Sequence, residues 1–274
     1  MRYSKDKLIG IIGLGNMGCA LLNGLIGSGT VERNRTFGFD VDIKRCRDVK
    51  RRFDISITES IEELCELSDA IIIAVKPKDM DAVLRDASIF TKGKLYISIA
   101  AGIMTRSIEK RLGASARVVR VMPNTPALVG EGISAICKGR FATKDDLQFA
   151  KKVFHSVGDC VELNEKYFDL VTAISGSGPA YFFYLMEALI EAGEDLGLRK
   201  DLLRKLVGKT ALGSAKLLVA SEEMPELLRQ RVTSRGGTTE AAIKIFERNR
   251  TKGIIANAVR AAVKRSKELS KGET

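Results

Sequence analysis

A chain of 274 residues, 45% apolar and 29% charged, can bury one large or two modest cores and has the composition of a globular protein, not a disordered or fibrous one. No apolar run reaches the roughly 18 residues that cross a bilayer, and the polar start Met1–Lys7 leads into a glycine-interrupted run unlike a signal peptide, so no membrane partner and a cytoplasmic location are expected. The net charge of +11 invites an anionic partner, yet basic and acidic residues alternate with no aromatic platform between them, which argues against nucleic acid. Five scattered cysteines without a C-x-x-C pair argue against a disulfide framework or a thiolate metal site, and one histidine excludes a clustered-histidine site; no metal is expected. That histidine, His155, falls in a stretch patterned as a surface helix and is not a candidate acid or base.

The first half alternates in character. Strands are expected at Leu8–Ile12, Arg35–Asp40, Ile55–Ile57, Asp69–Val75, Leu95–Ile99, Arg117–Val121 and Gly132–Cys137. Helices are expected at Met17–Gly27, Ile43–Arg52, Ser60–Leu67, Lys78–Asp86, Met104–Leu112 and Lys144–Val157. Strand Asp69–Val75 is too apolar to face water on either side, and short links between strands and helices point to a parallel sheet covered on both faces. Beyond about Glu162 no strand pattern remains. Long helical periodicities follow: Tyr167–Ile174, Pro179–Leu196, Asp201–Ala220, Glu226–Val232 and Thr239–Leu269, the last with a candidate break near Thr251-Lys252-Gly253, and a polar tail Lys264–Thr274 expected to fray. The expected fold is therefore α/β: an N-terminal Rossmann-type doubly wound parallel sheet over residues 1–162, then an all-helical C-terminal domain over residues 163–274.

Gly13-Leu14-Gly15-Asn16-Met17-Gly18 sits between the first strand and first helix, the context in which a glycine fingerprint binds a dinucleotide. Gly13 permits the tight turn, Gly15 lets backbone approach a pyrophosphate, and Gly18 lets helix and strand pack closely. Asn16 and Met17 open a helix whose first N–H groups and partial positive charge suit an anion. Asp40 ends the second strand, where an acidic side chain can accept from ribose hydroxyls and repel a 2′-phosphate; the neighbouring Lys44 and Arg45 can instead receive that phosphate, so NADH is favoured without excluding NADPH. Ala74-Val75-Lys76-Pro77 lies at the carboxyl end of the buried strand, the ligand edge of such sheets. Met122-Pro123-Asn124-Thr125-Pro126 occupies the equivalent edge later, with Asn124 offering an amide. In the helical half, Ser175-Gly176-Ser177-Gly178-Pro179 breaks a helix with glycines and hydroxyls, and Thr233 to Glu240 places Gly236-Gly237-Thr238-Thr239 at a helix start suited to a carboxylate.

Taken in order, these motifs resemble the pyrroline-5-carboxylate reductase family over nearly the whole length. The stretches Ser175 to Tyr181 and Gly236 to Glu240 are the specific ones. Two positions depart from the family pattern: Arg235 replaces its usual proline, and its second strand rarely ends in aspartate. The resemblance implies reduction of 1-pyrroline-5-carboxylate to proline with NADPH or NADH, a step of amino-acid biosynthesis, and a helical half that pairs two chains into a homodimer or higher homo-oligomer. It further implies a substrate carboxylate on Gly237, Thr238 and Thr239, and catalytic Thr172 and Ser177 near the ring nitrogen. Lys76, Pro77 and Asn124 would border the nicotinamide, and Gly13 to Gly18 would hold the pyrophosphate. A 3-hydroxyacid dehydrogenase shares the Gly-Leu-Gly-x-Met-Gly start but needs a lysine on the first inter-domain helix, and Ala173–Met186 contains none. A non-catalytic nucleotide-binding protein would have no use for the two C-terminal motifs.

Overall fold

The computed structural model describes residues 7–113 and 115–271. It divides into two compact units, Met1–Ser177 with Ala262–Thr274, and Gly178–Ala261. The expectations for Met1–Asp6 and for residues 272–274 of the tail lie outside the described residues.

The first unit is built on eight strands: β1 Ile9–Ile12, β2 Thr36–Phe39, β3 Ser56–Ile57, β4 Ala70–Ile73, β5 Leu95–Ser98, β6 Arg117–Met122, β7 Gly132–Lys138 and β8 Gly158–Glu162. They pair in the order β3-β2-β1-β4-β5-β6-β7-β8, parallel throughout except for β6 against β7. Helices α1 Asn16–Gly27, α2 Ile43–Phe53, α3 Ile61–Leu67, α4 Met80–Ala87, α5 Thr105–Leu112 and α6 Lys144–His155 connect them. Period-two alternation divides β4 between two cores. Ile72 joins Ile9, Ile11, Leu21, Leu25 and Phe154 on one face, and Ile71 and Ile73 join Leu64, Leu84, Tyr96 and Ile108 on the other. That arrangement is the doubly wound sheet expected from the alternating pattern.

Helix boundaries follow local chemistry. The Asp42 side chain accepts from Lys44 and Arg45 N–H to start α2, and Ser60 accepts from Glu63 N–H to start α3. Thr143 and Asp146 form a reciprocal capping box at α6. Lys94 Nζ donates to the carbonyls of Glu66 and Ser68 at 3.0 and 2.7 Å, tying the end of α3 to the start of β5. The cysteines serve packing: burial pushes the Cys65 thiol up to about 11 and Cys137 up to about 12, so both stay protonated at neutral pH. His155 is exposed at the end of α6, as expected of a surface helix.

Three expectations need correction. Strand β8 was not foreseen, because Gly-Asp-Cys-Val-Glu mixes polar and apolar residues without alternation, as an edge strand with only one neighbour can. The helix expected over Tyr167–Ile174 is the short α7, Phe168–Val171, running into a wider π turn at Thr172–Gly176. The polar tail expected to fray instead stays in regular helix to Lys271, the end of α12 Thr251–Lys271, while the candidate break in the last helix falls where expected, between α11 Thr238–Arg248 and α12, with Arg250 at φ 52°.

The second unit holds α8 Gly178–Asp195, α9 Lys200–Ser221, α10 Pro225–Arg231, α11 and the first part of α12. Pro179 stands in the first turn of α8, where its missing N–H costs nothing. Gly193 lets α9 come close: a Cβ there would lie 2.3 Å from Leu203 Cδ2. Large apolar side chains remain uncovered along these helices, with Phe182, Phe183 and Tyr184 at 66, 65 and 74% exposure. Among the described residues, no helix is long and apolar enough to cross a membrane.

Candidate active site

The carboxyl ends of β1, β2 and β4 converge on the glycine turn. Gly13 has φ +97°, and a Cβ on it would stand 2.6 Å from Ala74 O, so the chain after β4 packs directly on the turn. Ala74 N–H donates to Ile12 O at 2.7 Å, which fixes that approach, and Val75 Cγ1 borders the same spot. Gly18 is closer still: its Cβ would fall 2.1 Å from Gly13 O. Gly15 differs, since no protein atom lies within 4 Å of where its Cβ would be. It is the N-cap of α1 and makes no side-chain cap, so the first-turn N–H groups of Asn16, Met17 and Gly18 have no intrahelical partner. Open space beside Gly15 and donors with a helix dipole behind them fit an anionic diphosphate.

Lys76 is exposed at the mouth of this edge, and Pro77 begins a 3-10 turn, Pro77–Asp79. Asp40 is placed one residue past β2. Its carboxylate accepts Leu14 N–H at 2.8 Å and Asp42 N–H at 2.9 Å, and Arg45 Nη1 stands 3.5 Å away.

Farther along the sheet, two sequence motifs come together. Asn124 is 9% exposed; its Oδ1 accepts Ile133 N–H at 3.0 Å, and its Nδ2 donates to Ser175 Oγ at 3.4 Å. Gly176 leaves room for Met122, whose Cε lies 2.7 Å from where a Cβ would be. The π turn between them is closed by Ser177 N–H donating to Thr172 O at 2.7 Å, and Thr172 Oγ1 donates to Phe168 O at 2.8 Å. Such turns interrupt helices where a local geometry is needed for function more often than elsewhere. Here it presents the partly exposed Thr172 and Ser177 on one wide loop.

Sequence reasoning missed the support beneath this turn. Arg120, 3% exposed in β6, donates to Glu165 Oε1 at 3.1 Å and lies over the Phe168 ring, 4.7 Å from its centroid. Glu165 also accepts from Thr105 N–H and Oγ1, both at 2.8 Å. The signal available was a second arginine, Arg120, set among the apolar residues of Arg-Val-Val-Arg-Val-Met.

Within the second unit, Gly237 is the N-cap of α11, again without a side-chain cap. Gly236 adopts φ +72°, and its N–H donates to Glu240 Oε2 at 2.8 Å; this bond, with Lys244 beside it, holds the Glu240 carboxyl below the usual range. The N–H groups of Thr238 and Thr239 head α11 without intrahelical acceptors, Thr239 half-buried and Thr238 exposed. Arg235, where the family pattern has proline, is exposed just before the turn. Among the described residues no cluster of His, Cys, Asp and Glu is placed to hold a metal ion.

Residues 165–269 match the family described as pyrroline-5-carboxylate reductase dimerisation, and residues 8–102 match NADP oxidoreductase coenzyme F420-dependent. A curated pyrroline-5-carboxylate reductase of Pseudomonas aeruginosa is 40% identical, with 96% of each chain covered. The structure of a pyrroline-5-carboxylate reductase from Coxiella burnetii superposes with a TM-score of 0.91 at 36% identity, covering 96% of this chain and 98% of that one. The Plasmodium falciparum pyrroline carboxylate reductase, solved with NADP bound, gives a TM-score of 0.88 at 34% identity, covering 97% and 99%. With relatives this similar along nearly its entire length, the chain belongs to the pyrroline-5-carboxylate reductase family.

Proposed function

We propose that this chain reduces 1-pyrroline-5-carboxylate to L-proline, the last step of proline biosynthesis, with NADPH or NADH as hydride donor. The observation that carries the reading is 40% identity to a curated reductase across 96% of the chain; the open glycine turn supplies the cofactor end. When bound, the reduced nicotinamide supplies a hydride for the C=N carbon. A protonated cyclic imine already carries the positive charge that attracts it, so the protein needs no strong acid and contributes position instead. This is consistent with a chain whose one histidine lies on a surface helix end.

In this reading residues 1–162 form the dinucleotide domain and residues 163–274 the dimerisation and substrate domain. Gly13, Gly15, Asn16, Met17 and Gly18 cradle the pyrophosphate, and Asp40 belongs to the adenosine end. Ala74, Val75, Lys76, Pro77 and Asn124 border the nicotinamide. Backbone N–H groups and hydroxyls of Gly237, Thr238 and Thr239 take the substrate carboxylate. Thr172 and Ser177 orient the ring nitrogen or relay its proton.

The uncovered Phe182, Phe183 and Tyr184, together with exposed Leu206, Leu217, Ile254 and Ile255, support a homodimer or higher homo-oligomer; light scattering that returned a monomer would contradict this. Five thiols without a disulfide suit a cytoplasmic setting.

The direct test is imine-dependent loss of reduced-nicotinamide absorbance with purified protein, and no turnover with either cofactor ends the proposal. Thr239→Ala is expected to raise KM for the imine about tenfold, the loss of a hydrogen bond to a charged group, while the Kd for cofactor stays unchanged. Unaltered KM removes Thr239 from the carboxylate site.

A further inference from the structure

The amide of Leu14 lies just past β1, beyond the reach of the sheet ladder. The preceding amide, Gly13 N–H, still finds a main-chain acceptor, Phe39 O at 2.8 Å, but β2 ends there. Leu14 is 2% exposed, so its N–H needs a partner from the protein. Asp40 Oδ2 supplies it across 26 residues of sequence. The other oxygen accepts Asp42 N–H, and Arg45 lies beside Oδ2, leaving the Asp40 side chain only 5% exposed. An acidic residue that reads a ribose must present lone pairs outward. This one turns them inward, and Arg45 at 3.5 Å offsets its charge toward any incoming phosphate.

We infer that Asp40 is a positioning residue: it holds the glycine turn in shape by accepting the Leu14 N–H, and so sets affinity for NADH and NADPH alike instead of discriminating between them. The inference rests on the reading of the glycine turn as the dinucleotide site. It replaces the simpler expectation that an aspartate at the end of the second strand favours NADH. The fingerprint's remaining donors, at Asn16, Met17 and Gly18, then face the ligand while Leu14 N–H faces the protein.

Two variants separate the roles. In Asp40→Ala, hydrogen exchange at the Leu14 amide of the ligand-free protein should quicken at least about tenfold, as expected for a lost buried bond. Fluorescence titration should show the Kd for NADH and NADPH both rising about tenfold, their ratio constant within about twofold, with KM for the imine unmoved. Asp40→Asn keeps one acceptor oxygen, which the buried Leu14 N–H takes while Nδ2 faces the exposed Asp42 N–H that water can satisfy, so Leu14 should stay protected and both Kd values stay within about threefold of the parent. Unchanged Leu14 exchange in Asp40→Ala overturns the inference. So does a gain of more than about fivefold for NADPH over NADH in either variant, which is the signature of a ribose reader. Should the alanine variant fail to fold, the asparagine variant decides by that ratio alone. Parent protein that binds neither cofactor would instead sink the proposed function, leaving the exchange result to stand separately.

Discussion

Gly18→Ala is expected to weaken nicotinamide cofactor binding by roughly 100-fold, the fold-change equivalent to the upper end of overpacking costs, about 3 kcal/mol. The added methyl would sit 2.1 Å from the Gly13 carbonyl oxygen, and that atom is main chain, not the end of a flexible side chain. Gly13 cannot retreat easily, because its N–H is tied to Phe39 O at 2.8 Å and its φ of +97° is a conformation few other backbones adopt. The start of α1 must therefore move off the sheet, taking its first-turn donors with it. Gly15→Ala makes the informative partner experiment. No protein atom lies within 4 Å of that Cβ, and φ −74° is ordinary for alanine, so the melting temperature should fall little, the cost of a poorer N-cap being about 1 kcal/mol or less. Its methyl would nonetheless occupy the space offered to a diphosphate, and cofactor Kd should rise. Fluorescence titration and a thermal melt on both variants suffice. Unchanged Kd in both removes the glycine turn as the binding site.

Arg120→Met is expected to destabilise the first unit by about 3 kcal/mol, the lower end for breaking a buried pair because Glu165 is partly exposed. Methionine keeps most of the stem but removes the charge, the bond to Glu165 and the contact with the Phe168 ring. For a unit of this size the melting temperature should drop about 6–12 °C. Glu165 also anchors the start of α5 through Thr105, so the effect reaches two elements at once. The double variant with Glu165→Gln should lose less than the sum of the single losses, since each single change strands the other partner's charge. Strict additivity, or a single variant within about 0.5 kcal/mol of the parent, contradicts the role assigned to the pair. Phe168 carries the carbonyl that accepts from Thr172 Oγ1, so kcat should fall in Arg120→Met even below its melting temperature.

Most of the sheet was legible in the sequence because its signals are local. Continuous apolar strands such as Ala70–Ile73 declare themselves within a few residues. The glycine turn was legible for the same reason: its three glycines fall within six residues, between one strand and one helix, where Gly13 and Gly18 answer close contacts and Gly15 leaves open space. What escaped depends on distant partners. Strand β8 pairs only with β7, and nothing in its own five residues demands that pairing. Arg120 and Glu165 meet across 45 residues, and Asp40 reaches Leu14 across 26. The π turn was half legible: the Ser175 to Pro179 glycines announced a break, but only the Ser177-to-Thr172 bond specifies its width. At Asp40 spacing located an acidic residue at the end of the second strand, while the direction of its carboxylate could not be read from spacing.

The last helix carries a consequence for how the polypeptide is made. Its final turns belong to the first unit, where Ser266 Oγ donates to Asp169 Oδ1 at 2.7 Å and Ser270 lies against Gly102. The first unit is thus discontinuous, and a ribosome must complete the whole intervening helical unit before its last segment arrives. At about 5–20 residues per second that delay lasts several seconds. During it Asp169 and Gly102 lack their contacts with Ser266 and Ser270, and that incomplete unit is the species a chaperone would meet.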